Sequence, residues 1–481
     1  MAPFNCPLVP AVFALLILEF GRASVADRTA DVTYWRSALT ADPHNVTLAA
    51  CMGLVLLRTR EVDEGMRLLE MAVAADPTDW VSLEYMGGAY GTLARKLSSS
   101  ITARDSPNLS PLGDPLDSSR SDMRAMDARP AMSSSERKVL ESAVSYLRRG
   151  VRMRELSASK ASQMPSGFSR AELDLSAPSP RWYPQAIFAQ PPTLALRGLG
   201  DALAWLGRSE DARAVFEIGV RTGLWSSAWC RPARQHALRV PPATHFFFDV
   251  TPFAYLIEPL RAGWSAVRDE LAAAVQRSGS GPEDGRSTYA ANQQGWVHAS
   301  GGLHTGGSWH QLPLLVDGKL LYETCQRYWP RTCALLSSLP ALRVRDGQTK
   351  LSVLQPGTYV RPHCGPSHER LRMHCTLQLP PEQYPGELSW FRVGSVRRGW
   401  PDPGHCLVFD ESCEHEVFVS PLATVPRIVL ILDFANPFLP RDEYEASLVI
   451  PPADADALLL VRAQYDAFWR IWPRQGDHEE L

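Results

Sequence analysis

Two histidines and one arginine have the residue types and the order of a metal-dependent active site. His363 lies in the stretch YVRPHCGP, His415 lies in ESCEHEVFV, and Arg427 opens the apolar run RIVLIL. A metal that activates dioxygen needs neutral imidazole ligands and open coordination positions. A dicarboxylate bound to that metal needs a buried cation, and arginine suits this role because its planar fork grips a carboxylate and keeps its charge. The order therefore predicts a mononuclear metal site.

The segment RLRMH adds a basic wall to this site. Side chains alternate between the two faces of a β-strand. Arg370, Arg372 and His374 are therefore predicted to share one face. The opposite face would carry the apolar or sulfur-containing side chains of Leu371, Met373 and Cys375.

Taken together, PGTYVRPHCGPSHERLRMH, FDESCEHEV and the arginine that follows them resemble the aspartyl/asparaginyl β-hydroxylase family of iron- and 2-oxoglutarate-dependent oxygenases. The resemblance runs over roughly Phe246–Phe438. It implies an Fe(II)-dependent dioxygenase that hydroxylates the β-carbon of Asp, Asn or related residues in a protein or peptide, with succinate and CO2 as co-products. It also implies iron ligands at His363 and His415. The residues implied for 2-oxoglutarate are Trp309, Ser352, Arg372, His374, Val417 and Arg427.

The metal-binding carboxylate of the wider superfamily is missing, because Gly365 stands where most of its members have Asp or Glu. The family that the chain resembles also has Gly there, which implies a two-histidine site completed by water. Glu411, with Asp410 as the alternative, is predicted to hydrogen-bond that water. Cys364 is expected to be a small packing residue; the other interpretation, a thiolate ligand, would favour zinc over iron.

Other polar residues of the region have structural interpretations. Arg370 is expected to be structural or to face the substrate. A single histidine in a strand is most often a core residue with satisfied hydrogen bonds, and this interpretation is given to His304, His310, His368 and His405.

The composition favours a multidomain protein. The chain has 481 residues, 45% of them hydrophobic, which is enough for more than one core. Its formal charge of −3, without a Lys/Arg run, gives no support to nucleic acid as a partner. The predicted partner is a protein or peptide substrate.

The first 26 residues are predicted to form a signal peptide or a signal anchor. Their apolar run has the length of a signal core, and Ser24-Val25-Ala26 offers small residues for cleavage. No Lys or Arg precedes that run, so a cytosolic N-terminal helix stays an alternative. A signal would direct the chain to the secretory pathway, to the endoplasmic reticulum lumen or membrane, with membrane attachment only if the segment is an uncleaved anchor.

The N-terminal region contains a repeat. The phrases ALTADP and AVAADP recur with a spacing of 34 residues, which is the tetratricopeptide period. Gly200, Ala212 and Phe216 fit the same register in a later unit. The pattern predicts a tetratricopeptide-like α-helical solenoid whose groove recruits the substrate. Ordinary amphipathic helices with an accidental repeat are the alternative.

The second half of the chain has the pattern of many short strands, which favours a double-stranded β-helix, or jelly roll, of the cupin type. The predicted fold class is therefore α+β multidomain, a helical solenoid followed by a jelly-roll oxygenase domain. The predicted strands are Lys350–Leu354, Arg370–Leu379, Glu387–Val393, His405–Phe409, His415–Val419 and Arg427–Phe434. One helix is predicted over Phe253–Gln276. A second is predicted over Ala453–Ile471, with Leu459, Leu460 and Phe468 packing inward.

The predicted domain order follows from these segments: a signal segment at 1–26, tetratricopeptide-like repeats at 30–96, a disordered Ser/Pro-rich insertion at 97–135, further tetratricopeptide-like helices with an internal loop at 136–224, a connector at 225–245, the oxygenase domain at 246–450, and a C-terminal helix and tail at 451–481.

Nine cysteines occur and none forms a C-x-x-C pair, so a zinc ribbon or a thioredoxin-like site is not expected. The family resemblance implies a disulfide between Cys325 and Cys333, which an oxidising lumen would allow.

A second class of function stays open. The repeat array could recruit a partner while the barrel has lost activity, which would make the chain a degenerate binding module. Metal content and succinate release distinguish the two hypotheses.

Overall fold

In the computed structural model, the described residues are 61–77, 80–100, 132–162, 193–277, 296–299, 303–381 and 386–472, with scattered positions between 33 and 56. The chain divides into two compact units, and the main boundary falls between Leu224 and Trp225. The predicted signal segment and most of the predicted insertion at 97–135 lie outside the described residues. Across the ranges given above, no helix has the length and apolar character needed to span a bilayer.

The N-terminal unit is helical. Its described helices are α1 (Val62–Ala75), α2 (Trp80–Ser100), α3 (Ser134–Ser162), α4 (Thr193–Trp205) and α5 (Ser209–Arg221). Helix α2 continues past the predicted repeat boundary at 96. A high content of Ser and Pro indicates a segment that is not helical throughout, but it does not determine the residue at which the preceding helix ends.

Helices α4 and α5 pack closely at Gly200. A Cβ atom added there would lie 2.0 Å from Cε1 of Phe216, so only glycine permits this approach. Phe216 and Ala212 are both buried on the inner face of α5. The three residues singled out from the repeat register thus lie at one helix–helix contact.

The C-terminal unit also contains helices, namely α6 (Ala254–Ala262), α7 (Trp264–Arg277), α8 (Tyr322–Tyr328), α9 (Pro330–Ser337), α10 (Arg441–Ser447) and α11 (Ala455–Ile471). The prediction of one helix over Phe253–Gln276 is wrong, because α6 and α7 are separated at Gly263. The Gly263 N–H closes the last turn of α6 on the Pro259 carbonyl at 3.0 Å. Glycine is a poor helix former. The apolar periodicity of the sequence continues across Gly263, so the periodicity could not reveal the break between α6 and α7.

The C-terminal helix α11 has a different buried face from the predicted one. Leu459 is 62% exposed and Leu460 is 45% exposed, so the prediction that they pack inward is wrong, whereas Phe468 is buried as expected. The helix is capped by Asp454, whose side chain accepts the Ala457 N–H. Helical spacing from that cap fixes the inner face, which consists of Ala457, Val461, Gln464, Tyr465 and Phe468.

Two antiparallel sheets form the centre of this unit. The larger has the order β1-β3-β5-β12-β7-β10, with β4 paired to β3, and the smaller has the order β2-β6-β11-β8-β9. Two facing antiparallel sheets fit the predicted jelly roll. The strands are β1 (Val297–His298), β2 (His304–Thr305), β3 (Trp309–Val316), β4 (Lys319–Leu320), β5 (Gln348–Leu354), β6 (Tyr359–His363), β7 (Arg370–Gln378), β8 (Ser389–Val393), β9 (Val396–Gly399), β10 (Cys406–Phe409), β11 (His415–Val419) and β12 (Arg427–Ala435).

All six predicted strands are present with shifts of one or two residues at their ends, but β6, which carries His363, was not predicted. Pro362 lies inside it, and proline within a run argues against a strand when only the sequence is read.

Alternation along β12 separates two cores. Leu430 and Leu432 belong to the core that includes residues of the surrounding helices, whereas Val429 and Ile431 belong to the core between the two sheets. Arg427 has the same parity as Val429 and Ile431, and a strand places residues of one parity on one face. The functional side chains predicted from the sequence therefore gather inside the sandwich.

Candidate metal and carboxylate site

His363 and His415 lie directly opposite each other on the paired strands β6 and β11. Their ring centroids are 4.2 Å apart. Directly opposed residues of an antiparallel pair hold their Cβ atoms close together. The sheet register thus brings together two histidines that are far apart in the sequence.

Both rings are held in the tautomer that a metal ligand needs. Nδ1 of His363 is 2.7 Å from the Arg361 carbonyl oxygen, and Nδ1 of His415 is 2.9 Å from the Cys413 carbonyl oxygen. A carbonyl oxygen only accepts, so each Nδ1 donates its proton and each Nε2 keeps the lone pair. Burial, and then the neighbouring His363, lower the pKa of His415 well below its ordinary value, which favours the neutral ligand form.

Strand β7 supplies the predicted basic wall. Arg372 and His374 lie opposite Asp433 and Ile431 of β12, on the face that lines the space between the sheets. The intervening side chains of Leu371, Met373 and Cys375 belong to the other core. The alternation predicted for RLRMH is confirmed.

Arg372 is already bound by two carboxylates. Its Nε and Nη2 donate to Asp433 at 2.6 and 2.9 Å, and Nη2 lies 2.5 Å from Oε2 of Glu411. Burial would raise the pKa of Asp433, but Arg372, Arg370 and Lys350 outweigh burial and lower it. The lowered pKa keeps the Asp433 carboxylate ionised beside the candidate metal site.

Arg427, in contrast to Arg372, has no ion pair with a carboxylate among the described residues. Its side chain is 1% exposed, and its Nε and Nη2 have no hydrogen-bond partner among the described residues. Its Cζ lies 3.9 Å from the ring centroid of Trp400. Burial alone lowers its pKa well below the ordinary arginine value. A buried cation with unused donors indicates a place for an anionic ligand.

His374 is the second buried group with unused hydrogen-bonding capacity. Neither of its ring nitrogens has a hydrogen-bond partner in the described part of the chain. Its ring stacks on Trp400, with the centroids 5.8 Å apart, so Trp400 contacts both His374 and Arg427. Burial, then Arg427 and Arg372, lower the pKa of His374 well below its ordinary value. A neutral imidazole and a cation therefore lie side by side.

The other residues predicted for 2-oxoglutarate are also inside the sandwich. Trp309 Nε1 donates to Ser352 Oγ at 3.0 Å, which links the adjacent strands β3 and β5. Val417 is buried in the core between the sheets, and Trp309 packs against that core. The sheet topology thus collects all eight residues predicted for the site.

Glu411 has contacts different from those predicted. Its carboxylate forms ion pairs with Arg370 and Arg372, so two guanidinium groups already hold the group that was expected to bind a water. Its backbone oxygen accepts the Gly365 N–H at 2.5 Å. A Cβ atom at position 365 would lie 2.7 Å from Glu411 Cγ. The glycine is therefore required by the close approach of Glu411.

Asp410, the alternative predicted hydrogen-bond partner of the metal-bound water, contacts His368 Nδ1 at 3.0 Å and accepts the Ser412 N–H at 2.9 Å. His368 is buried in this pair, in agreement with a structural role. Among the residues with described coordinates, no group of three or more His, Cys, Asp or Glu side chains has the arrangement of a metal site.

The other histidines differ from one another. His304 and His310 are buried, and burial lowers the pKa of each to about 4. His405 is exposed, so its assignment to the core is wrong. It immediately precedes β10, where its Nδ1 lies 3.3 Å from the Asp402 carbonyl oxygen.

Three site residues were missed when only the sequence was considered, namely Lys350, Trp400 and Asp433. Asp433 is a single carboxylate inside the buried run RIVLILDFA, and that isolated charge was a usable signal. Lys350 is buried in the same sheet, and burial, followed by Arg372, lowers its pKa to about 8. Trp400 follows β9 and carried no charge pattern that could mark it.

Three disulfides stabilise the domain. Cys325–Cys333, which the family resemblance implied, is present. Cys230–Cys413 and Cys375–Cys406 were not predicted, because their pairing depends on sheet register and on residues distant in the sequence. Cys364 forms no disulfide and is buried. Its Sγ lies 3.8 Å from the Trp229 carbonyl oxygen, in keeping with a packing role.

Comparison with known proteins gives one consistent family. Residues 261–437 match the family described as Aspartyl/Asparaginyl beta-hydroxylase. The human protein "Aspartyl/asparaginyl beta-hydroxylase" is 32% identical over 243 residues, which cover 50% of this chain and 29% of the relative. Human "Aspartate beta-hydroxylase domain-containing protein 2" is 33% identical over 156 residues, or 32% of this chain and 39% of the relative.

A Pseudomonas putida prolyl-4-hydroxylase structure covers 40% of this chain and 94% of its own, with 19% identity and a TM-score of 0.23. The matched part of this chain spans 29% of the length of the human aspartyl/asparaginyl beta-hydroxylase. The family match contains both histidines, the basic wall and Arg427. Residues 261–437 are therefore similar to the aspartyl/asparaginyl β-hydroxylase family.

Proposed function

We propose that this chain is an Fe(II)- and 2-oxoglutarate-dependent dioxygenase that hydroxylates the β-carbon of an Asp, Asn or related residue in a protein or peptide. Succinate and CO2 are the co-products. The observation that carries the proposal is the opposed pair His363 and His415, with both Nδ1 atoms on backbone carbonyls, in the same sandwich as the buried Arg427. The names of the relatives support a hydroxylase.

His363 and His415 would hold the iron through Nε2. Two neutral imidazoles suit Fe(II), and they leave positions for the co-substrate and dioxygen. When bound, Fe(II) and 2-oxoglutarate supply the oxidative decarboxylation that activates dioxygen. The backbone carbonyls of Arg361 and Cys413 keep both rings in the ligand tautomer. The protein thereby prepares the ligand set before the metal arrives.

The charges on the inner wall suit a dianionic co-substrate. Arg370 and Arg372 already pair with Glu411 and Asp433. Arg427 therefore adds a positive charge that no described carboxylate neutralises, and protonated Lys350 adds a second. A dicarboxylate would offset this excess in a low-dielectric site, where an unpaired charge is costly.

Individual residues would orient the co-substrate. Arg427 on β12 presents donors for the distal carboxylate of 2-oxoglutarate. His374 on β7 and Ser352 on β5, the two strands that flank β12, offer neutral hydrogen-bonding groups. Trp309 fixes the Ser352 hydroxyl by donating to it. Val417 and Trp309 form apolar boundaries of the space and exclude water from it. Arg372 would contact 2-oxoglutarate while it stays paired with Asp433.

The N-terminal unit would recruit the substrate. We assign α1–α5 and the repeat spacing to a tetratricopeptide-like solenoid, supported by the close packing of Gly200 on Phe216. Its groove would bind a protein or peptide and raise the local concentration of the substrate near the oxygenase domain.

The disulfides support a secretory location. Three are formed in the described part of the C-terminal unit, and such bonds persist in oxidising compartments. With residues 1–26 acting as a signal peptide or an uncleaved signal anchor, the protein would reside in the endoplasmic reticulum lumen or membrane.

The decisive experiment is turnover by the purified full chain. Fe(II), 2-oxoglutarate and peptides that contain Asp or Asn, both linear and disulfide-bonded, are incubated with it. Succinate release and a mass gain of one oxygen atom on the peptide are expected, and both should require Fe(II). If the chain binds no Fe(II) and releases no succinate, it is instead a degenerate binding module.

A further inference from the structure

A short segment at residues 229–234, which we call the strap, lies upstream of the family match and contacts the two loops next to the histidines. These are the His363 loop, residues 364–369 directly after β6, and the His415 loop, residues 410–414 directly before β11. We propose that the strap, fixed by the Cys230–Cys413 disulfide, is a positioning element that sets the geometry of the metal site. This inference rests on the proposed assignment of His363 and His415 as metal ligands.

The first set of contacts joins the strap to the His415 loop. The Trp229 carbonyl accepts the Glu414 N–H at 2.7 Å, and the Arg231 N–H donates to the Ser412 carbonyl at 3.0 Å. Between these two hydrogen bonds, Cys230 is joined to Cys413, 183 residues farther along the chain. The loop that leads to His415 is therefore held by one covalent bond and two backbone hydrogen bonds.

The Cys230–Cys413 disulfide acts on the histidine through one carbonyl group. The Cys413 oxygen accepts the His415 Nδ1 proton at 2.9 Å. The residue anchored by the disulfide thus supplies the atom that fixes the tautomer and the orientation of the ligand ring. Partners of this kind, one step behind a metal ligand, typically contribute ten- to a hundredfold in metal affinity.

The second set of contacts joins the strap to the His363 loop. The Ala233 and Arg234 N–H groups both donate to the Pro366 carbonyl, at 2.8 and 3.0 Å. The Cys364 thiol, next to His363, lies 3.8 Å from the Trp229 carbonyl oxygen that also binds Glu414. The strap therefore bridges the His363 loop and the His415 loop.

A buried ion pair holds the strap in place. Arg231, 1% exposed, donates to Glu414 at 2.7 Å, and Arg392 donates to the other Glu414 oxygen at 2.8 Å. Breaking one partner of a buried pair leaves an uncompensated charge, so the pair resists displacement of the strap.

The strap matters because only two protein side chains would bind the metal. With a third ligand, a small rotation of one ring would be tolerated by the other two. With two, the separation and the orientation of the rings determine the site. Loosening the strap should therefore weaken metal binding while both histidines remain present.

The test measures metal binding without turnover. The dissociation constant of Co(II) is determined from its visible absorption for the full chain and for the double variant Cys230→Ser/Cys413→Ser. The matched control is Cys325→Ser/Cys333→Ser, which removes a disulfide between α8 and α9, in the core on the other side of the larger sheet. We expect about ten- to hundredfold weaker Co(II) binding in the first variant and less than about twofold change in the control.

Two outcomes would overturn the inference: equal weakening in both double variants, or unchanged affinity in the first. If the first variant does not fold, Arg231→Lys keeps the disulfide and the charge but loses the fork that reaches both Glu414 and the Ala228 carbonyl. At least about threefold weaker Co(II) binding is expected there; unchanged binding would overturn the inference. Failure of the wild-type chain to bind Co(II) would instead remove the proposed metal site itself.

Discussion

Arg427 lies over the indole ring of Trp400, with Cζ 3.9 Å from the ring centroid. A cation–π contact holds a guanidinium group without neutralising it. The charge of Arg427 therefore stays available to an anion, although burial lowers the pKa of the guanidinium well below the ordinary arginine value. This arrangement supports the proposed role of Arg427 in binding a carboxylate of 2-oxoglutarate.

Replacing Arg427 should affect 2-oxoglutarate binding most strongly. Arg427→Ala removes a buried charge-assisted pair, and we expect a loss of about 2–5 kcal/mol in 2-oxoglutarate binding, measured by calorimetry on the Co(II)-loaded protein. Arg427→Lys should restore only part, because a point charge lacks the bidentate fork. The control is Arg397→Ala, an exposed arginine that also lies over a tryptophan, Trp390. Normal binding by Arg427→Ala would identify Arg372 as the carboxylate anchor.

Removing either histidine should abolish metal binding. With two protein ligands, His363→Ala and His415→Ala each leave a single imidazole, which is too few to hold Fe(II). Iron content after dialysis measures the effect. His405→Ala, at an exposed histidine of the same domain, should keep wild-type iron content. Stoichiometric iron in either ligand variant would contradict the assignment.

Gly365 should not accept any side chain. Gly365 stands where most of the wider superfamily has its metal-binding carboxylate, but a Cβ atom there would lie 2.7 Å from Glu411 Cγ and 2.9 Å from the Glu411 carbonyl oxygen. We therefore expect even Gly365→Ala to lower the free energy of unfolding by about 1–3 kcal/mol, as overpacking does. Urea denaturation of Gly365→Ala, with Gly88→Ala in open space on α2 as control, measures it. Unchanged stability of Gly365→Ala would contradict this expectation.

Glu411 and Asp410 provide a separate test of the ligand number. Because Glu411 pairs with two arginines and Asp410 with His368, neither Glu411→Gln nor Asp410→Asn should cost iron affinity as heavily as loss of a histidine. Dissociation constants for Fe(II) in both variants would decide. A collapse of affinity in either variant would make that carboxylate a direct ligand.

Lys350 should give stability an unusual pH dependence. Burial lowers its folded-state pKa from 10.5 to about 8, so the folded protein binds this proton more weakly than the unfolded chain does. Its contribution to the free energy of unfolding therefore rises as the pH rises from about 8 to 10.5, by about 1.4 kcal/mol per pH unit, and is lost as the pH falls to 8. Lys350→Met should lack this rise. Urea denaturation of both proteins at pH 7.5 and 9.5 measures the difference, and parallel pH profiles would contradict it.

The sequence by itself determined which side chains of RLRMH share one face of β7. Local alternation placed Arg370, Arg372 and His374 on one face, and the pattern around His363, His415 and Arg427 indicated the family whose model matches residues 261–437. The prediction for β7 succeeds because strand geometry has a period of two residues. The assignment of His363 and His415 as metal ligands stays a prediction, based on the side chains that a metal site needs.

Only the tertiary structure decided which of these polar groups pair with each other. It showed Arg372 bound to Asp433 and Glu411, and it showed that Nε and Nη2 of Arg427 have no hydrogen-bond partner in the described part of the chain. It also brought Cys230 to Cys413 across 183 residues and pressed Glu411 against Gly365. Such contacts depend on sheet register and on the close approach of distant segments, and no local pattern encodes the distance between two residues that meet only when the chain is folded.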